Sequence, residues 1–333
     1  MNTPSSSSPA NTDKFQQAFQ LHQQGQLEQA ERLYQELLRE QPQHIDALHF
    51  SGVLAHQLGQ SQRAVDLIRL ALELDQNNAA AHSNLGLALK NLNRFDEALA
   101  SYDHALALKP NDTEALSNRG DILQALKRLD EALSSFQRVL SIKPDSDFIF
   151  GAWLHLKMII CDWDQFDQHL NRLSQGIERG EKIALPFIVQ ALSSSPALQK
   201  KVAEIYTNTK YPNNFLLPPL TKRTHSKIKV GYFSSDFRCH PVAYLMAELF
   251  ERHDRSQFEI IAFSFYVTDH KDDMRLRLEK AFNRFIDVSQ QSDEQVVQLA
   301  RELEIDIAVD LNGNTENCRT GIFAMRAAPV QVN

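Results

Sequence analysis

The sequence predicts an α-solenoid followed by an α/β lobe built on a parallel, Rossmann-like sheet, and two patterns carry this prediction. The first part of the 333-residue chain repeats with a period of about 34 residues, the length of a tetratricopeptide helix pair. From residue 227 onward, the chain alternates between the strand period of about two and the helix period of about 3.6, as doubly wound parallel sheets do.

The repeats cover residues 11–146 in four copies, after a leader rich in serine and proline at 1–10 that we expect to be disordered. Gly52, Gly86 and Gly120 stand where neighbouring helices must approach closely. Pro144 stands where the second helix of the last copy should end, because proline has no amide hydrogen to donate. A single helix pair cannot bury its apolar face, so the copies should stack into a superhelix with an inner groove.

Two asparagines mark a candidate peptide-binding groove. Asn84 and Asn118 occupy the same register in successive copies, on first helices that should line the groove. An amide side chain both donates and accepts hydrogen bonds, so such residues can hold an extended polypeptide by its backbone. We therefore predict that both bind substrate. The alternative is that they are solvated polar side chains on a helix surface.

A helical connector at 147–226 separates the repeats from the lobe at 227–333, and the stretch YPNNFLLPPLTKRTHSK, rich in proline and asparagine, marks its end. In the lobe, IKVGYF, FEIIAFSFY, RFIDV and DIAVDLN predict strands, each followed by a helical pattern, and VQV starts a fifth strand. No helical pattern follows VQV to cover the sheet there. We therefore expect an incomplete lobe and a chain that is the front part of a longer protein.

Composition disfavours several classes of partner. The formal net charge of -7 leaves no basic excess to neutralise nucleic acid or an anionic membrane surface. Cys161, Cys239 and Cys318 form no CxxC pair, which disfavours a zinc ribbon and a disulfide framework and favours the reducing cytoplasm. No apolar run is long enough to cross a bilayer, no targeting signal is evident, and we predict no metal site.

The loop SSDFRCHP, after the first predicted strand, is the candidate site. Ligands of parallel sheets bind at the carboxyl ends of strands, where Asp236 and His240 follow the first strand. Asn312 and Gly313 follow the fourth. The loop has no glycine to approach a pyrophosphate, which disfavours a dinucleotide or phosphate-loop enzyme. An acid and an imidazole can instead orient a hydroxyl or move a proton, and Pro241 suits the first turn of the next helix. The alternative is that Asp236 braces the loop and His240 fills it.

The order of the motifs HLKMIICDW, VGYFSSDFRCHPVAYLMAELF, FIDVS, DLNG and FAMRAAPVQV after the repeats resembles the bacterial branch of the protein O-GlcNAc transferase family. The resemblance implies a GT-B fold, of which this lobe would be the N-terminal half. It also implies inverting, metal-independent transfer of N-acetylglucosamine from UDP-GlcNAc to serine or threonine of acceptor proteins, without a cofactor. Because the second lobe, which holds most of the donor, is absent, we expect the chain alone to be weakly active or inactive.

The resemblance also implies roles for single residues. His240 and Asp236 match catalytic positions of the family's first lobe, with His240 near the donor sugar or its phosphate, and Pro241 matches a substrate-binding position. By their place after the fourth strand, Asn312 and Gly313 are also predicted to bind substrate. Two alternatives stay open. One is a peptide-binding scaffold without catalysis, and the other is a related protein O-fucosyltransferase that uses GDP-fucose.

Overall fold

The computed structural model describes residues 9–211, 226–266, 272–315 and 317–333. The chain divides into two compact units, one that ends at Ile188 and one that begins at Val189. Residues 1–8 of the predicted leader lie outside the described residues, and the first helix begins at Pro9. The division falls inside the predicted connector, and the domain boundaries drawn from the sequence stay predictions.

The first unit contains the repeats as pairs of helices. The two helices of each pair pack on one another and each pair packs on the next, as in a solenoid. Their bounds are α1 (Pro9–Gln23), α2 (Leu27–Glu40), α3 (Ile45–Gln57), α4 (Ser61–Leu74), α5 (Ala79–Asn91), α6 (Phe95–Leu108), α7 (Thr113–Ala125) and α8 (Leu129–Ile142). The α-solenoid predicted from the sequence period is confirmed.

Glycine allows the two helices of a pair to approach closely. Gly86 of α5 lies against the ring of Tyr102 of α6, and a Cβ atom added to this glycine would come within 2.8 Å of the ring. Gly120 of α7 lies in the same way against Phe136 of α8, at 2.5 Å. Both rings are fully buried, so a side chain fits at either glycine only if the core moves. At these two glycines the close contact predicted from the repeats is between a backbone and an aromatic ring, whereas Gly52 of α3 lies against the aliphatic side chain of Ile68 of α4.

Further helices follow the repeats along the chain. Their bounds are α9 (Ile149–Ile159), α10 (Phe166–Glu178), α11 (Pro186–Leu192) and α12 (Pro196–Lys210). Helix α9 packs on α8, and its Gly151 amide donates to the Ile183 carbonyl at 2.9 Å, so the first unit continues past the last repeat. Of the helices that the structure describes, none combines the length and the apolar character that crossing a bilayer requires.

In its described part, the second unit is a parallel five-stranded sheet with the strand order β3-β2-β1-β4-β5. The strands are β1 (Ile228–Ser234), β2 (Phe258–Ser264), β3 (Arg284–Asp287), β4 (Ile307–Asp310) and β5 (Val330–Val332). The helices between them are α13 (Pro241–Arg252), α14 (Asp273–Ala281), α15 (Asp293–Glu302) and α16 (Thr320–Ala324). The predicted alternation of strands and helices, and with it the Rossmann-like lobe, is confirmed.

The sheet is covered on both faces, which explains why its central strands are apolar throughout. Consecutive residues of β1 point to opposite faces, so Phe233 packs in a core with α15 and α16, whereas Tyr232 packs in a core with α13 and α14. Phe233 stacks on Phe263 of the neighbouring strand with ring centroids 4.3 Å apart. These two cores pack on the central strands from both sides, and the loops after β1 and β4 start from those strands.

The strand order creates a switch point beside β1. The chain runs outward from β1 to β2 and β3, and then returns to place β4 on the other side of β1. The connections after β1 and β4 therefore leave the sheet side by side and in opposite directions. A crevice at this position is the usual ligand site of open parallel sheets.

Candidate functional site

Asn312 joins the two loops at the switch point. Its Oδ1 atom accepts the Ser235 amide at 2.8 Å, and its Nδ2 atom donates to the Ser235 hydroxyl at 2.8 Å and to Asp236 Oδ2 at 3.0 Å. The side chain is buried, with the residue 5% exposed. In this structure the side-chain amide of Asn312 is thus hydrogen-bonded within the lobe, and it holds the loop after β1 against the loop after β4. Its predicted role in binding substrate stays a prediction.

Asp236 is held from within the loop. The residue is 7% exposed. Its Oδ1 atom accepts a hydrogen bond from the Ser235 hydroxyl at 3.1 Å, and its Oδ2 atom accepts one from the side-chain amide of Asn312. Its own backbone amide donates to the Ser234 hydroxyl at 2.9 Å. A carboxylate with both oxygens occupied by fixed donors is well placed to set the shape of the loop. The structure thus brings Asp236, Asn312 and the end of β1 together, as the sequence predicted for the first two.

His240 begins helix α13. Its Nδ1 atom accepts the Val242 amide at 3.3 Å, and Pro241 occupies the first helical turn, as predicted. Because Nδ1 accepts a hydrogen bond, the neutral ring carries its proton on Nε2. Nδ1 also lies 3.6 Å from Asp236 Oδ2, which is too far for a direct hydrogen bond.

The Nε2 atom of His240 is a polar group of this loop that is available to a ligand. The side chain keeps 32% of its surface exposed, and within the described ranges no protein group pairs with Nε2. In the neutral tautomer that the helix cap selects, this nitrogen donates a hydrogen bond and cannot accept a proton. The geometry therefore supports a hydrogen-bond donor to a ligand oxygen more directly than a general base.

The side chain of Asp310 shapes the loop after β4. We did not identify this residue from the sequence. Its Oδ1 atom accepts the Asn312 amide at 3.0 Å and the Gly313 amide at 3.1 Å, and Gly313 has a φ of 58°. Asp310 is 9% exposed, and this burial raises the pKa of its carboxyl, although the two amides oppose the shift. The order Asp-Leu-Asn-Gly is typical of such a turn and could have identified it. Gly313 supplies the left-handed backbone here, and its predicted substrate contact stays a prediction.

The loop after β1 is also attached on the side of β2. The Cys239 amide donates to Asp272 Oδ2 at 2.6 Å, and the guanidinium of Arg238 lies over the ring of Tyr266 at 4.5 Å. Neither Arg238 nor Asp272 was singled out from the sequence, because the contacts join residues far apart in the chain. Over the ranges that the structure describes, no three His, Cys, Asp or Glu side chains group closely enough to hold a metal ion.

The predicted groove residues lie on α5 and α7 of the first unit. Asn84 Nδ2 is 2.9 Å from His49 Nε2, and burial lowers the pKa of His49, so the imidazole accepts this hydrogen bond in its neutral form. The Oδ1 atom of Asn84 retains its acceptor capacity. Asn118 is half-buried and has no side-chain hydrogen bond to any described residue. Whether the two bind polypeptide stays a prediction.

Three matches to sequence families cover most of the chain. Residues 160–333, more than half of the 333 residues, match the Glycosyl transferase family 41. Residues 21–88 and 83–147 match tetratricopeptide repeats. The family 41 match contains the whole described second unit from residue 189, including both loops of the candidate site.

The relatives whose names state an activity match only part of the chain. The probable UDP-N-acetylglucosamine--peptide N-acetylglucosaminyltransferase SEC of Arabidopsis thaliana is 29% identical over 196 residues, which are 54% of this chain and 20% of the relative. The UDP-N-acetylglucosamine--peptide N-acetylglucosaminyltransferase of Caenorhabditis elegans is 30% identical over 190 residues, 52% of this chain and 16% of the relative. The chain thus spans a fifth or less of the length of these two relatives.

A solved structure has a similar fold. A mutant of the O-GlcNAc transferase of Thermobaculum terrenum is similar with a TM-score of 0.51 and 24% identity, over 86% of this chain and 49% of that chain. This likeness supports the order of helical repeats and α/β lobe that the sequence predicted. Together with the match over more than half of the residues, it confirms the resemblance noted from the motifs. The chain belongs to glycosyl transferase family 41.

Proposed function

We propose that the protein containing this chain transfers N-acetylglucosamine from UDP-GlcNAc to serine or threonine hydroxyls of other proteins. Membership of family 41, whose match includes the loops after β1 and β4, is the observation that carries this proposal. The names of the relatives from Arabidopsis thaliana and Caenorhabditis elegans support the same donor and the same class of acceptor. The transfer inverts the configuration at C1 of the sugar. It uses neither a metal ion nor a cofactor.

In the proposed reaction, the acceptor hydroxyl oxygen forms a bond to C1 of the sugar while the bond from C1 to the β-phosphate oxygen breaks. UDP leaves with the electron pair of that bond, and the hydroxyl releases its proton to the solvent. The Nε2–H group of His240 donates a hydrogen bond to an oxygen of the donor, where negative charge develops as UDP leaves. Asp236, Asn312 and Gly313 keep the loops in place so that this donor is fixed before the substrate arrives.

The repeats present the acceptor in this proposal. Asn84 and Asn118 hold an extended segment of the acceptor protein through its backbone amides, as their shared register favours. Binding through backbone groups accepts many sequences, which suits an enzyme with several protein substrates. We place the protein in the reducing cytoplasm, which its three free cysteines favour.

The test is the product formed by the protein at its full natural length. We expect incubation with UDP-GlcNAc and acceptor proteins to add one N-acetylhexosamine to serine or threonine, as read by mass spectrometry of peptides. Parallel reactions with GDP-fucose and with UDP-glucose serve as matched donor controls. Addition of fucose alone would overturn the choice of donor, and the absence of transfer from any donor would favour a peptide-binding scaffold.

A further inference from the structure

The amide next to His240 is fixed by a residue on another connection. Asp272 lies at the start of α14, where its Oδ1 atom accepts the Arg275 amide at 3.0 Å and so caps the helix. Its Oδ2 atom accepts the Cys239 amide at 2.6 Å. Cys239 directly precedes His240, so one carboxylate joins the start of α14 to the backbone that carries the imidazole.

The neighbouring residue cannot replace this connection. The Arg238 guanidinium lies over Tyr266, and its nearest approach to Asp236 is 3.9 Å, which is beyond hydrogen-bond distance. Its Nε atom is buried and has no hydrogen-bond partner among the described residues. The side chain therefore packs without a directional contact. The hydrogen bond from Cys239 to Asp272 is what fixes this end of the loop to α14.

We propose that Asp272 is the positioning residue of His240, and that it acts through the Cys239 amide. A short hydrogen bond to an ionised acceptor is among the stronger ones in proteins. It sets the direction of the backbone at residue 240, and that direction keeps Nδ1 on the Val242 amide and leaves Nε2–H for the ligand. Asn312 holds the other end of the same loop at Ser235 and Asp236, so the loop is attached at both ends. The consequence for catalysis rests on the proposed function.

Asp272→Asn separates the two functions of this side chain, which are to cap α14 and to accept the hydrogen bond from the Cys239 amide. An asparagine keeps one oxygen to cap α14, while its amino group would face the Cys239 amide as a second donor. Asp272→Ser tests the same point without an amide, because serine caps a helix well and offers only one acceptor group. The matched control is Asp254→Asn. Asp254 accepts the Ser256 amide at 2.9 Å in the turn before β2, at the edge of the sheet opposite the site.

The first measurement is the tautomer of His240 in this chain, read from its ring nitrogen shifts after selective labelling at about pH 8.5, where imidazole is neutral. We expect the wild type and Asp254→Asn to hold the Nε2–H form, and both Asp272 variants to show a mixture of tautomers. Retention of the wild-type tautomer in the two Asp272 variants would overturn the proposal. This measurement does not depend on the proposed transferase activity.

The second measurement is the kinetics of the protein at its full natural length. We expect Asp272→Asn to lower kcat by roughly tenfold to a hundredfold with KM for UDP-GlcNAc nearly unchanged, the range that displacement of a reacting group produces. A mixed tautomer with an unchanged kcat would contradict the catalytic consequence. If the wild type transfers no sugar, the proposed function fails while the tautomer result still decides the role of Asp272.

Discussion

At the scale of the residue, the candidate site depends on a division of roles between Asp236 and His240. Asp236 has both oxygens engaged by Ser235 and Asn312, whereas Nε2 of His240 has no partner among the residues that the structure describes. The sequence predicted that an acid and an imidazole stand together after β1. It could not predict the tautomer, because that depends on a hydrogen bond from Val242, nor the brace from Asn312, which lies 77 residues from Ser235 along the chain.

Asp310 gives a prediction on pH dependence. Burial raises the pKa of this carboxyl in the folded protein, so its protonated form is favoured there. As the pH rises from the ordinary pKa of aspartate through the raised value, the wild type must ionise a buried group and loses stability. Asp310→Asn keeps an oxygen for the Asn312 and Gly313 amides and has no charge to bury. We therefore expect the variant to gain stability relative to the wild type over this range.

The measurement for Asp310 is hydrogen exchange of the β4 amides at several pH values, corrected for the intrinsic exchange rate. Asp254→Asn is the control of opposite sign, since hydrogen bonds from Ser256 lower the pKa of Asp254. For Asp254, the wild type should gain stability relative to the variant as the pH rises. A difference between wild type and Asp310→Asn that stays constant from acid to neutral pH would contradict the assignment.

At the scale of the element, the repeats were predicted almost completely and the strands less so. Period and small residues suffice for the helix pairs, because the main contacts of each pair are with its neighbours. The predicted strand DIAVDLN is shorter in the structure, where β4 ends at Asp310. The side chain of Asp310 accepts the amides of Asn312 and Gly313 and so turns the chain out of the sheet. Propensity alone does not reveal such a local hydrogen bond.

Gly120→Ala tests the packing inside a helix pair. Alanine favours a helix over glycine by about 1 kcal/mol, but its Cβ atom would overlap the buried ring of Phe136. Overpacking of a core costs about 1–3 kcal/mol, so we expect a net loss in the free energy of unfolding. Urea unfolding followed by tryptophan fluorescence reports on this unit, because Trp153 and Trp163 both lie in it.

The matched variant for Gly120 is a double substitution, Gly120→Ala with Phe136→Leu. The smaller leucine leaves room for the added methyl group, so the double variant should lose less stability than the sum of the two single variants. Strict additivity, or a more stable Gly120→Ala protein, would show that the ring does not limit the approach of α7 and α8.

At the scale of the whole molecule, a superhelix of repeats and a Rossmann-like lobe occur in one chain, and each has its own core. The order of the motifs predicted the family, and the match over residues 160–333 confirms it. The identity of the donor and of the acceptor proteins could not be predicted from the motifs in the same way. The described residues of the loops at the switch point contain groups that brace the lobe and an imidazole nitrogen without a partner among them, and such groups do not specify a nucleotide or a sugar.

In the proposed reaction, Nε2 of His240 contacts the donor during transfer. His240→Asn is the sharpest variant, because asparagine can still cap α13 but has no atom at the place of Nε2. His104→Asn, at an exposed position of α6, is the control for the change of residue type. In the protein at its full natural length, we expect His240→Asn to lower kcat by about 10²–10³-fold and His104→Asn to leave it unchanged. A kcat for His240→Asn close to that of the wild type would contradict a contact between Nε2 and the donor.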